Sequence, residues 1–215
     1  MSRLLLLLLL AIATAAPAQH LTFRHTTRDT AFALHTLRFY LTDVRLYRGD
    51  TLRHTLAKRH HLLDIDQPNT LHLPLDTALA FDEVRFTLGV DSATAAGGVH
   101  GGDLDPTLGM YWTWRSGYVN FKLEVTHPES PARGHRVAYH LGGFRAPDNS
   151  ERRIQLRSAS KNADAVATIA TVQLDLDHFF SAVDASEVHT VMSPGAAAMN
   201  VMDQVAQCFT FQLHP

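Results

Sequence analysis

The stretch VNFKLEV, residues 119–125, alternates strictly between apolar and polar side chains. Side chains two positions apart on a β-strand point to the same face, so a strand here has one apolar and one polar face. The apolar face consists of Val119, Phe121, Leu123 and Val125. This alternation is typical of a strand that is half buried in a layered β-protein.

Strand patterns recur outward from this stretch, separated by turns rich in Gly, Pro, Asp and Asn. The further predicted strands are Phe32–Tyr47, Phe81–Val90, Arg136–Phe144, Arg153–Arg157 and Ala167–Leu176. The first is too long for one flat strand, so we expect a bend or bulge near Asp43. Many short strands with turns between them predict an all-β fold, an antiparallel β-sandwich.

One segment, residues 193–205, has a helical pattern instead, near the C-terminus. Ser193 is the predicted N-cap and Pro194 the first helical residue. The chain shows no internal repeat and no low-complexity linker, so we expect residues 19–215 to form one domain.

The first 18 residues are typical of a secretory signal peptide. A positive start at Arg3 precedes the apolar run Leu4–Ile12, and Ala16-Pro17-Ala18 offers the small residues that a signal peptidase reads. We expect cleavage after Ala18 and a periplasmic or secreted protein. We expect no membrane anchor, because the apolar run is too short to span a bilayer and no cysteine follows it to carry a lipid.

The composition narrows the classes of function. A formal net charge of -2 provides no basic surface, so we expect no nucleic-acid partner. Cys208 is the single cysteine, which excludes a disulfide within this sequence, whereas there are 14 histidines. This balance favours metal chemistry with imidazole and thioether ligands over thiolate sites.

Met110, Trp112 and Trp114 lie two positions apart, and the two indoles are the only tryptophans in the sequence. On a regular strand all three would share one face, which would bring a soft sulfur ligand next to two oxidisable rings. Two interpretations remain open: a metal or redox site, and large aromatic residues that pack in the core.

Histidines near glycines are the other candidate ligands. His140 precedes Gly142-Gly143 at the end of a predicted strand, and His100 lies in a glycine-rich loop. For each, a solvated surface histidine is the alternative. A ligating imidazole needs an acceptor for its second nitrogen, for which we considered three carboxylates, Asp91, Asp103 and Asp105.

Several motifs of the chain resemble those of the MbnP-like family of exported copper-binding proteins. The resemblance extends over almost all of residues 19–215. The matching motifs are LRFYLTDV at 37–44, GMYWTW at 109–114, SGY at 116–118, FKLE at 121–124, YHLGG at 139–143 and VMSPG at 191–195.

The resemblance implies a β-rich fold with one copper site that involves histidine and a tryptophan-derived kynurenine. In characterised members, a partner dihaem peroxidase of the MauG type oxidises the tryptophan. By position, His140 would be the ligand, Trp112 or Trp114 would be modified, and Met110 and His100 would lie nearby. We favour Trp114 for the modification, because Trp112 is nearer the loop whereas Trp114 enters the regular strand leading to Tyr118, where a fixed geometry would help to define a site.

We therefore expect a periplasmic protein of copper homeostasis that binds Cu(I) and is not an enzyme. Imidazole and thioether ligands suit low-coordinate Cu(I). The alternative is a non-metal extracellular adhesion or interaction domain, in which Trp112 and Trp114 serve as core or contact residues.

Overall fold

The computed structural model describes residues 19–75, 79–159 and 169–214, so the predicted signal peptide at 1–18 lies outside the described residues. The strands are β1 His20–Thr26, β2 Ala33–Arg48, β3 Thr51–Thr55, β4 His60–Asp64, β5 His72–Pro74, β6 Glu83–Leu88, β7 Tyr111–Thr113, β8 Gly117–Thr126, β9 Arg136–Gly142, β10 Arg152–Arg157, β11 Ile169–Asp175, β12 Thr190–Val191 and β13 Phe209–His214. The helices are α1 Ser92–Ala96, α2 Leu176–Ala182 and α3 Ala196–Gln207. In this described part, none of the helices combines the length and the apolar character needed to cross a bilayer.

The strands form two sheets, which confirms the predicted β-sandwich. The small sheet has the order β13-β11-β1-β5, and the large sheet has the order β10-β6-β2-β8-β9-β12, with β3 and β4 paired to β2 and β7 paired to β8. Most neighbours run antiparallel, as expected, but β1 with β11 and β12 with β9 run parallel.

The long strand β2 connects the parts of the large sheet. It pairs with β8 and β4 along its first part and with β6 and β3 along its second. Its register with β6 slips between Thr42 and Arg45, and Asp43 adopts the left-handed conformation with φ of 53°. The predicted bulge near Asp43 is therefore confirmed.

Most apolar side chains form one core, which contains residues of both sheets and of α2 and α3. We call this set of residues the main core. On β8, Phe121, Leu123 and Val125 belong to it, each at most 1% exposed. Three of the four residues of the predicted apolar face thus pack in the main core, whereas Val119 packs on the opposite face of the sheet, because the pairing of β8 with β9 shifts between Val119 and Phe121. Burial in the main core contributes roughly 25 cal/mol per Å² of apolar surface.

A second apolar cluster lies on the opposite face of the large sheet. Tyr40 belongs to it, although its neighbours Phe39 and Leu41 belong to the main core, as strand alternation requires. We call this set the outer cluster; its buried members are Tyr40, Leu62, Val90, Ala95, Leu104, Met110, Tyr118, Val119 and Phe144. Four of the nine, Val90, Ala95, Leu104 and Met110, come from the connections around α1 and β7, which therefore fold over the outside of the sheet.

Asn120 ties these outer connections to β8. Its side-chain oxygen accepts the N–H of Val90 at 2.9 Å, and its amide nitrogen donates to Ser150 Oγ at 2.8 Å. Asn120 is 2% exposed and presses against Gly89, whose φ of 106° and close contact leave no room for a Cβ. One buried amide thus joins the segments that follow β6 and precede β10.

The C-terminal helix is confirmed, but the predicted start was wrong by two residues. α3 begins at Ala196 with Gly195 as N-cap, and the φ of 147° at Gly195 separates Pro194 from the helix. Cys208 follows α3 and is 2% exposed, with its Sγ 3.1 Å from the carbonyl oxygen of Gln204. Burial, together with the charge of Asp175, raises the pKa of this thiol to about 12.

Replacing Asn120 tests its role in the fold. We expect Asn120→Ala to lower the free energy of unfolding by about 2 kcal/mol, because the buried N–H of Val90 loses its acceptor. Urea unfolding of this variant, beside the exposed-site control Thr210→Ala, measures the difference. A loss no greater than that of the control would contradict the proposed role.

Candidate metal centre

Trp112 and Trp114 occupy different environments. β7 contains only Tyr111–Thr113, and its pairing with β8 is irregular between Tyr111 and Thr113. Trp114 follows in the turn before β8, and 70% of its surface is exposed. The expectation that Trp114 shares a face with Met110 and Trp112 was wrong, because the strand ends before Trp114 and alternation no longer applies.

Met110 is a packing residue in this structure. Its side chain is fully buried in the outer cluster, where Tyr118 and Phe144 are also members. The Met110 carbonyl accepts the N–H of Val119 at 2.9 Å, which attaches the start of β7 to β8. The thioether is therefore enclosed by apolar and aromatic groups, as in the core-packing interpretation.

Trp112 is partly buried and lies against the end of β9. A Cβ added to Gly142 would come within 2.6 Å of Cζ3 of the indole, so the ring rests directly on the Gly142 backbone. His140 precedes Gly142 by two residues, and alternation directs its side chain to the same face. Their α-carbons are separated by roughly 7 Å. Trp112 thus lies on the outer face of the large sheet, against the β9 backbone two residues beyond His140.

His140 is buried and forms a pair with a carboxylate. Its Nε2 lies 2.7 Å from Glu124 Oε1 on the neighbouring strand, and the residue is 9% exposed. Burial lowers the pKa of His140, although the hydrogen bond to Glu124 acts in the opposite direction. The imidazole is therefore neutral at pH 7: Nε2–H donates to Glu124, and Nδ1 keeps a lone pair.

Glu124 is charged in this pair. Burial alone would raise its pKa, but the hydrogen bond from His140 and the charge of Lys122 bring that pKa below its ordinary value. Lys122 Nζ lies 3.7 Å from the same carboxylate oxygen, and Thr36 Oγ1 donates to the other oxygen at 3.4 Å. Several donors therefore hold the carboxylate in place, and it in turn orients the His140 ring.

His100 lies in separate surroundings. Its Nε2 is 3.0 Å from the carbonyl oxygen of Thr94, and its backbone N–H donates to the hydroxyl of Tyr118 at 3.2 Å. The residue is exposed. These contacts attach the glycine-rich loop to α1 and β8, and they bring His100 into no contact with His140.

The three aspartates considered as acceptors for a ligating histidine are engaged elsewhere. Asp91 caps α1, Asp103 accepts the N–H of Leu62, and Asp105 accepts the N–H of Thr107. Glu124, which was not predicted, takes that role for His140. The available signal was strand alternation, which places Glu124 on the polar face of β8, but the register between β8 and β9 could not be read from the sequence.

Of the five predicted site residues, only His140 and Trp112 lie on or against the outer face of β9, two positions apart along the strand. Met110 lies in the outer cluster, His100 on its loop and Trp114 in an exposed turn. Across residues 19–75, 79–159 and 169–214, no three His, Cys, Asp or Glu side chains are grouped closely enough to hold a metal ion. The His140 environment therefore offers one well-oriented imidazole to a metal ion.

The buried imidazole makes a pH dependence testable. The pKa of His140 is lowered in the folded chain, so below about pH 6.5 the unfolded state takes up the proton first and the free energy of unfolding falls. His140→Gln can still donate to Glu124 but does not titrate, so its stability should decline less between pH 7 and pH 5. Urea unfolding of the metal-free proteins at several pH values measures both slopes; equal slopes would contradict a neutral, buried His140.

Comparison with known proteins gives the chain's family. The MbnP family model matches residues 8–194. Among solved structures, the chain is similar to MbnP from Methylosinus trichosporium, at 17% identity and a TM-score of 0.49, covering 84% of this chain and 81% of that one. No curated protein matches the sequence. Because the family model covers most of its length, the chain belongs to the MbnP family.

Proposed function

We propose that this chain is an exported copper-binding protein that holds one Cu(I) ion and does not turn over a substrate. Membership of the MbnP family associates the chain with copper. The observation that carries the assignment to a site is the pair of His140 and Glu124, because the carboxylate orients the ring and leaves Nδ1 as a lone-pair donor. Carboxylate–imidazole pairs of this kind are the usual support of metal-bound histidine.

Copper suits this environment better than zinc or calcium. Zinc in structural sites takes four ligands and calcium takes six or more oxygens, whereas no group of three acidic, His or Cys side chains occurs in the described residues. Cu(I) accepts soft and imidazole donors and low coordination. When bound, it would supply a one-electron redox couple, and the neighbouring residues would control its access to water.

Trp112 is the residue that we propose for conversion to kynurenine, since it lies against Gly142, two residues along β9 from His140. Oxidation inserts two oxygen atoms, from two molecules of peroxide that leave as water, across the C2–C3 bond of the indole. Hydrolysis then releases the formyl carbon as formate and leaves an aryl amine and a ketone. A dihaem peroxidase of the MauG type is the proposed oxidising partner, and the aryl amine would be a second ligand to copper.

Trp114 is not proposed as the modified residue, because it lies in a turn and not in a regular strand as expected. Met110 and Trp114 lie outside the proposed ligand set: the first is enclosed by the outer cluster and the second extends into solvent. His100 is likewise left out, since its ring nitrogen is bonded to the Thr94 carbonyl.

Export is part of the proposal and rests on the signal-peptide pattern of residues 1–18. A different class of function, an extracellular interaction domain, is favoured by one observation: Trp114 is 70% exposed, and exposed tryptophans are frequent anchors of protein–protein contacts. Trp114→Ala distinguishes the two functions. For an interaction domain it would weaken binding of the protein partner, whereas for the copper-binding protein it would leave copper binding intact.

Copper affinity tests the proposed ligand. We expect His140→Ala to weaken Cu(I) binding by about a hundredfold or more, and Glu124→Gln by about ten- to a hundredfold through the lost support of the ring. Titration of the protein against a competing Cu(I) chelator measures both. His178→Ala, at an exposed histidine of α2, is the matched control. Equal copper retention by His140→Ala and the parent protein would show that His140 is not a ligand.

The site of modification is tested by mass spectrometry of peptides that contain both tryptophans. In protein produced with its dihaem partner, Trp112 should show a net gain of one oxygen atom and a net loss of one carbon atom, and Trp112→Phe should abolish the change. Trp114→Phe should leave it intact. Modification at Trp114 alone, or tight copper binding by protein with both indoles unmodified, would contradict this assignment.

A further inference from the structure

A cavity opens at one edge of the sandwich, away from His140, where β3 and β4 of the large sheet approach β5 of the small sheet. Its volume is about 380 Å³, within the range of small-molecule sites. Leu56, Leu62 and Leu73 contribute buried apolar walls. None of the residues proposed for copper binding lines it.

His61 lines this cavity and has an unpartnered nitrogen. It lies opposite Leu41 of β2, so its ring is directed to the inner side of the sheet, and the residue is 7% exposed. Its Nε2 is buried without a hydrogen-bond partner. The ring makes a backbone hydrogen bond to Lys58, and since Nε2 has none, Nδ1–H is the donor. Nε2 is therefore a buried hydrogen-bond acceptor without a donor.

His61 keeps this acceptor at neutral pH. Burial lowers its pKa, and the charge of Lys58 acts in the same direction, against the backbone hydrogen bond. A buried acceptor without a donor costs roughly 1–3 kcal/mol, so a group that donates to Nε2 has a favourable free energy to gain.

The walls of the cavity are held in place before any ligand arrives. Asp103 accepts the backbone N–H of Leu62 at 2.8 Å and pairs with Lys58 Nζ at 2.5 Å. These bonds join the loop at 102–104 to the edge of β4 and position Lys58 at the cavity. A ligand would therefore meet largely preformed walls, which lowers the ordering cost of binding, and it reaches Nε2 once the His61 ring turns toward the cavity, because that atom is buried in this structure.

Water or a metal ion is a poorer occupant of this site than an organic molecule. One water takes up about 30 Å³ and needs two or more polar partners, so it would satisfy Nε2 but leave the apolar walls uncovered. A metal ion needs further donors, and in the described ranges no three suitable side chains are grouped for it. The walls instead fit an apolar body that carries a single donor.

We propose that this cavity binds a small organic molecule with an apolar or aromatic body and one hydroxyl or N–H donor, which hydrogen-bonds to His61 Nε2. Binding here is independent of the proposed copper function, because His140 and Glu124 lie on other strands and outside the cavity.

Phenol and anisole test the proposal as a matched pair, since anisole has the same ring but no donor. Each is titrated into metal-free, 15N-labelled protein while backbone amide shifts are followed by NMR. We expect phenol to shift residues 56–62 and 69–74, and to bind about five- to tenfold more tightly than anisole. The same result with His140→Ala would show that the cavity acts without the copper site.

Two variants identify the contact. His61→Leu should remove the advantage of phenol over anisole while both still enter, and Ala57→Trp, at an exposed lining residue, should block both ligands. The amide spectrum of each variant reports whether it is folded. If His61→Leu does not fold, the result with Ala57→Trp decides whether the ligands bind in the cavity. Equal affinity of phenol and anisole for the parent protein, shifts outside the cavity only, or unchanged binding by Ala57→Trp would overturn the proposal.

Discussion

The left-handed backbone at Asp43 is the constraint on which the large sheet depends. Without a change in φ, a strand of 16 residues would run straight past its neighbours. The bend lets β2 pair with β8 before it and with β6 around and after it. Asp tolerates this conformation better than most residues, and the Asp43 N–H, freed from the regular ladder, donates to the Arg59 carbonyl at 3.0 Å. Arg59 also pairs with the Asp43 side chain, so one residue pair holds the bend from both sides.

The large sheet also has an apolar surface on its outer side. Tyr40 points outward just before the bend, and the connections around α1 and β7 cover it. This arrangement explains why neighbouring residues of one motif have different roles. Met110 belongs to the cover and is buried, Trp112 lies at its margin against Gly142, and Trp114 passes beyond it into solvent. Met110, Trp112 and Trp114, which are close in sequence, thus lie in a packed cluster, at the proposed copper site and on the surface, respectively.

The features that depend on one strand alone could be predicted from the sequence. The alternation in residues 121–125 identified the face of β8 that packs in the main core, although Val119 packs on the other face, and the length of β2 predicted its bulge. The partner of His140 could not be predicted, because it depends on the register between β8 and β9, which no single strand reveals. The face of Trp114 was wrong for a related reason: alternation holds only while a strand continues, and β7 ends at Thr113. The start of α3 was misplaced because capping propensity favoured Ser193, whereas the φ of Gly195 decided the boundary.

The buried cysteine also bears on how the chain handles a thiol-seeking metal. Thiolate, not thiol, is the form that binds copper or attacks a disulfide, and a pKa of about 12 leaves almost no thiolate at neutral pH. Cys208 is also enclosed beneath α3, where its Sγ is close to the Gln204 carbonyl oxygen. The Cys208 sulfur is therefore unreactive toward oxidants, labelling reagents and soft cations. A metal that meets this surface finds nitrogen, oxygen and thioether donors, the exposed Met192 among them, but no accessible thiolate, and two copies of the chain have no ready route to a covalent dimer.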